Sequence, residues 1–175
     1  MFGGQFAFIS GSSFVLIGGL GVSPAVYGFC FGAVAVGIMT GSFVTSRLAG
    51  RIPGDRLILV GTGLGAAAGL VMAGLAWTDV GGVAPILGPM FFFALGLGLS
   101  NPNAVAGAVG PYPQMAGLAA AVLGVVQMTG SAAYGIAVAH LSDGTAGPMA
   151  TAIATAGLAA FVGFALLRSR RLPSA

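Results

Sequence analysis

Side chains able to form neutral hydrogen bonds recur inside stretches otherwise built of Ala, Gly, Leu, Val and Phe. They are Ser10, Ser12 and Ser13 near the start, Ser100, Asn101 and Asn103 in the middle, and Gln127 further on. Amides and hydroxyls can hold a ligand by donating and accepting without any change of charge. Nucleophilic catalysis asks for more, namely a serine activated by a histidine within hydrogen-bond reach. Gly98-Leu99-Ser100 with the single histidine, His140, is the suggestive material for such a pair, but Asn101 stands where a membrane-embedded serine protease carries glycine. One cysteine, Cys30, excludes an intramolecular disulfide and any several-Cys metal site, so a small buried apolar role is expected for it and no metal ligands are expected anywhere.

The medium around these groups follows from composition. Of 175 residues 57% are hydrophobic and 5% charged, and the mean hydropathy is +1.04. A water-soluble domain carries about a quarter of its residues as charges, so this chain cannot cover a surface facing water. Disorder is excluded for the opposite reason, because apolar area is plentiful. The net charge of +3 comes from six Arg and three Asp. A nucleic-acid surface needs a basic stripe on a wet face, whereas these arginines cluster at the borders of apolar runs, so a lipid partner is expected and nucleic acid is not.

A bilayer core of about 30 Å takes about 20 helical residues per crossing. Proline-containing turns, Gly21-Val22-Ser23-Pro24 and Gly110-Pro111-Tyr112-Pro113-Gln114, divide the longest apolar runs. The expectation is an all-α integral membrane protein with six transmembrane helices near 2–21, 24–48, 56–78, 82–109, 115–141 and 146–168. Six crossings put Arg47, Arg51, Arg56, Arg168, Arg170 and Arg171 on one side with both termini, and Asp79, His140 and Asp143 on the other. The positive-inside rule makes the arginine side cytoplasmic. Glycines four apart, Gly28/Gly32, Gly37/Gly41 and Gly61/Gly65/Gly69, predict close helix contacts. Met1 opens directly into an apolar segment with no basic leader region, so a signal peptide is not expected and the chain reads as a fragment lacking something upstream.

Counting along each helix at ~1.5 Å per residue brings Ser10, Ser12, Ser13, Asn101, Asn103 and Gln127 to similar mid-depth. Buried polar groups in lipid either bond between helices or line a wet path, and contributions from three helices favour the path. Phe6, Phe14 and Tyr134 are candidate aromatic walls. Pro102 deprives the Gly98 carbonyl of its usual donor, so a bend is expected there. Asn101 and Asn103, two residues apart, cannot both face one cavity; one is expected to line it and the other to tie helix four to a neighbour. No Asp, Glu, Lys or Arg lies at the centre of any span, and the depths of His140 and Ser100 differ by roughly 10 Å or more, so no enzyme is expected.

Three stretches resemble the C-terminal six-helix half of the major facilitator superfamily, in particular drug-efflux carriers of the bicyclomycin and chloramphenicol resistance type. Residues 6–15, Phe-Ala-Phe-Ile-Ser-Gly-Ser-Ser-Phe-Val, are similar to that family's seventh helix. Gly98-Leu99-Ser100-Asn101-Pro102-Asn103-Ala104 is similar to its tenth, and Ala116-Gly117 with Gly124, Gln127 and Gly130 to its eleventh. The segment Arg47 to Arg56, with Arg51 and Asp55, resembles the superfamily's basic cytoplasmic loop between helices eight and nine, but Ser46 stands where an acidic residue often precedes the first Arg.

The resemblance implies one half of a major facilitator fold, built as two inverted three-helix repeats, from a carrier of the bacterial inner membrane. It further implies proton-coupled efflux of small apolar or amphipathic solutes by alternating access, with no cofactor beyond the proton gradient and with the coupling carboxylates in the missing N-terminal half. Phe6, Ser10, Ser13, Phe14, Asn101, Asn103 and Gln127 are the candidate substrate contacts, and Arg47, Arg51, Asp55 and Arg56 the candidate conformational motif. Two other readings compete: a half that pairs with itself or a separate partner, and a six-helix intramembrane serine protease.

Overall fold

The computed structural model describes residues 1–78, 82–141 and 145–170, the last without the Arg170 side chain. Asp79, Asp143 and Arg171, used above for orientation, lie outside the described residues. Six helices account for nearly all of the rest: α1 (Phe2–Ser13, continued by a π-helical segment Phe14–Gly19), α2 (Pro24–Leu48), α3 (Gly54–Trp77), α4 (Ala84–Val109), α5 (Ala116–His140) and α6 (Ala146–Arg170). All six are long and apolar enough to cross a membrane, and no strand occurs among the described residues. For convenience the side holding residues 49–53 and 110–115 is called the arginine end.

Local chemistry explains most of the boundaries. Ser23 caps α2 by accepting from the Val26 amide at 3.4 Å, and Pro24 occupies the first turn, where its missing N–H costs nothing. Gly50 and Gly21 turn the chain with φ of 79° and 67°, a region in which a Cβ clashes. The first helix departs from the expected 2–21. Beyond Ser13 it widens, with Leu20 N–H donating to Val15 O at 3.0 Å and Val22 N–H to Leu16 O at 2.9 Å, and the regular helix ends at Gly19.

The helices pair in a pattern that maps onto itself when α1–α3 is exchanged with α4–α6. α2 packs on α4 as α5 packs on α1, α3 on α4 as α6 on α1, and α3 packs on α6. Because three helices reverse the chain direction, the repeats are inverted with respect to each other. The self-exchanged contact has matching halves: a Cβ on Gly69 would stand 2.7 Å from the Ala154 Cα, and one on Gly157 3.0 Å from the Ala66 Cα. Absence of side chains creates the other close crossings too. Gly37 and Gly41 of α2 face the backbone carbonyls of Phe91 and Leu95, and Gly61 and Gly96 face each other between α3 and α4. Gly28 and Gly32 do not follow the expectation: nothing lies within 4 Å of either, because they sit on the outward face of α2 beside Phe29.

The contiguous core, with Phe8, Leu16, Met72, Met90, Phe93 and Ile153 fully buried, occupies the half of the bundle away from the arginine end. Toward the arginine end the packing opens. The first turns of α5 are largely exposed, Leu118 at 62%, and α4 beyond Ser100 is covered only in part.

Candidate functional site

Where the helices separate, a cavity of about 430 Å³ lies between α3, α4, α5 and α6, closed above by Met1, Phe2 and Gly3 of α1. Its wall is apolar at Ile58, Leu97, Val126 and Phe164 and polar at Thr62, Ser100, Asn101, Gln127 and Ser131. Two of the polar groups belong to their own helices: Thr62 Oγ1 donates to Ile58 O at 2.7 Å and Ser100 Oγ to Gly96 O at 2.9 Å. Asn101 and Gln127 instead meet across the α4–α5 gap, with Gln127 Nε2 donating to Asn101 Oδ1 at 3.4 Å. That bond is long. Both amides therefore keep donor and acceptor capacity facing the hollow.

Asn103 points elsewhere, as the two-residue spacing requires. Its Nδ2 donates to Leu99 O of its own helix at 2.9 Å, and its amide oxygen packs against Gly54 at the start of α3. It lines a second hollow of about 500 Å³ at the arginine end, shared with Asp55 and Arg168. Ile58, Ala104 and Phe164 line both hollows, so the two are adjacent. Around Pro102, α2 supplies hydroxyls to α4: Ser42 Oγ lies 3.5 Å from the Gly98 carbonyl that Pro102 leaves without a backbone donor, and Thr45 Oγ1 donates to Leu99 O at 3.1 Å. α4 itself runs unbroken through Pro102.

The remaining expected contacts are not brought to Asn101 and Gln127. Ser10 and Phe6 pack against Gly135 of α5, Ser13 is half-buried on α1, and Phe14 is 63% exposed on the π-helical segment. Tyr134 turns inward, its hydroxyl donating to Ala152 O at 2.7 Å while its ring abuts Gly3. The physical reason is register. α1 begins deep within the bundle, with the Met1 thioether against Gly65 in the middle of α3. Counting depth from each helix's first residue therefore sets Ser10 too near the arginine end. Ser12 is buried between helices, its hydroxyl 3.0 Å from that of Tyr27 on α2.

At the loop, the Arg47 guanidinium lies 4.9 Å over the Phe43 ring, and Gly50 lets Arg51 N–H donate back to Leu48 O at 3.0 Å. Arg56 begins α3 exposed beside Asp55. No group of His, Cys, Asp or Glu among the described residues could hold a metal ion. His140 ends α5 thirteen residues past Gln127, roughly 20 Å by helix rise, and the Ser100 hydroxyl is committed to Gly96 O. The pair cannot act together.

One residue with a distinctive environment escaped the sequence reading. Gln5 Oε1 is buried without a hydrogen-bond partner, the one such side-chain atom found among the described residues. The signal was present, a lone amide in an apolar first helix, but counting from Met1 sets it at the membrane border rather than inside.

Six apolar helices arranged as two inverted three-helix repeats fit the C-terminal half of a major facilitator transporter, and the chain belongs to that superfamily. It is similar to a bicyclomycin resistance protein homolog of Haemophilus influenzae, 30% identical over 173 residues that cover 99% of this chain and 43% of the relative. It is also similar to YdgK of Bacillus subtilis, described as an uncharacterized MFS-type transporter, 30% identical over 125 residues covering 71% of this chain and 31% of the relative. The chain thus spans less than half the length of these curated relatives. No family model and no solved structure matches it. It is a multi-pass membrane protein of a transporter family.

Proposed function

We propose that this chain is the C-terminal half of a proton-coupled carrier that exports small apolar or amphipathic drug-like solutes by alternating access. The observation that carries this reading is the Asn101–Gln127 pair on the rim of an apolar hollow, 3.4 Å apart and held by different helices. Such a pair grips a solute by neutral hydrogen bonds while Leu97, Val126 and Phe164 supply contact tolerant of shape. The name of the Haemophilus relative supports drug export, and the arginines at one end favour an inner-membrane protein with both termini cytoplasmic. Proton coupling falls to carboxylates outside these six helices, whose membrane interiors hold none, and the exposed faces of α2 and α5 meet a second six-helix unit.

In cells making the full-length carrier, Gln127→Ala is expected to change the range of compounds resisted, with some tolerances falling severalfold and others holding. Identical tolerance across a drug panel at equal protein level would remove Gln127 from the site.

A further inference from the structure

Hydroxyls along these helices commonly settle on the carbonyl one turn back. Thr40 Oγ1 donates to Val36 O at 2.7 Å, Thr62 Oγ1 to Ile58 O at 2.7 Å, Ser100 Oγ to Gly96 O at 2.9 Å and Thr151 Oγ1 to Gly147 O at 2.8 Å. Ser131 departs from this habit. It is only 5% exposed, yet its hydroxyl has no hydrogen-bond partner among the described residues. With Gly135 and Val138 it makes up the buried stripe of α5, where alanine would fill the same place without a polar atom. Its oxygen is not sealed in. Gln5 Oε1 is the one side-chain polar atom found enclosed without a partner, so Ser131 Oγ borders open space, and the space that Ser131 lines is the cavity holding Asn101 and Gln127. An unpaired hydroxyl in a low-dielectric interior carries a free-energy cost that a well-placed polar group relieves.

We propose that Ser131 is a specificity-determining residue of this cavity, its Oγ exchanging a hydrogen bond with a hydroxyl group of a neutral solute. Gln127 lies one turn earlier on the same face of α5, which sets the two Cβ atoms about 5–6 Å apart. A solute held by the Gln127 amide therefore meets Ser131 with a second polar group, nearer the end that Met1, Phe2 and Gly3 close. The proposal rests on the transport reading and adds a chemical class to it: among solutes of equal size and charge, those bearing the hydroxyl are preferred.

Thiamphenicol and florfenicol make the test, two neutral compounds of one skeleton in which a primary hydroxyl of the first is replaced by fluorine, a far poorer hydrogen-bond partner, in the second. Efflux of each is measured in cells making the full-length wild-type carrier, Ser131→Ala or Ser131→Thr, at equal membrane level. Ser131→Ala is expected to lose roughly fivefold in thiamphenicol efflux, the size of one neutral hydrogen bond, with florfenicol efflux within about twofold of wild type. Ser131→Thr, which keeps the hydroxyl, is expected to retain thiamphenicol efflux within about twofold. Equal loss for both compounds in Ser131→Ala, no loss for either, or a thiamphenicol loss as large in Ser131→Thr would overturn the proposal. Failure of Ser131→Ala to reach the membrane would overturn it too, by making the hydroxyl part of the fold. Wild-type cells that export neither compound better than cells lacking the carrier would count against the transport reading itself.

Discussion

Gly96→Leu is expected to abolish accumulation of the folded protein in the membrane, read as loss of a detergent-stable, protease-resistant species. A Cβ at this position meets the Gly61 carbonyl of α3 and stands 3.0 Å from the Gly65 amide nitrogen. The obstacles are backbone atoms of a helix, which have no rotamer to change, so α3 and α4 must move apart along their whole contact. Ordinary overpacking costs roughly 1–3 kcal/mol where neighbouring side chains can yield, and here none can. Lipid supplies no hydrophobic drive to hold separated helices together. Because α3 also carries α6, the disturbance reaches the centre of the bundle. Gly28→Leu is the control: nothing lies within 4 Å of that position, and protein level is expected to stay near wild type.

The contrast marks what the sequence makes legible. Length, apolar content and proline-rich turns define six spans to within a few residues, because the bilayer imposes length and unpaired backbone groups forbid any alternative to a helix. Glycine spacing shows that helices approach closely but not which ones. Gly28/Gly32 and Gly37/Gly41 have the same spacing on the same helix, yet only the second pair meets α4. A 3.6-residue period specifies a face, and the partner of that face depends on tertiary arrangement.

The site was legible in the same partial way. The two-residue argument separating Asn101 from Asn103 is a property of any helix, and the two residues do line different hollows. The serines of α1 were placed by counting from helix starts, which assumes that all six begin at one level. α1 begins beside the middle of α3, so the count shifts Ser10 and Ser13 away from Gln127 and brings Met1, Phe2 and Gly3 to the cavity instead. Relative helix depth is set by the Gly3–Tyr134 and Gly11–Met149 crossings, contacts that no local pattern encodes.

Ala104→Trp is expected to lower transport at least tenfold while leaving protein level and thermal stability in detergent close to wild type. Ala104 lies on α4 one turn beyond Ser100, where α4 has left the close-packed region, and its side chain is exposed to the hollow rather than buried. It is one of the residues that line both the mid-depth cavity and the hollow at the arginine end. An indole added at this exposed position extends toward the hollows rather than into a helix backbone, so it avoids the overpacking cost that Gly96→Leu incurs. It fills the boundary between the hollow beside Asp55 and Arg168 and the cavity holding the amides of Asn101 and Gln127. Solute efflux from loaded cells checks the rate, and a melting curve of the purified carrier checks the fold. If the variant melts normally and transports normally, solute does not pass Ala104.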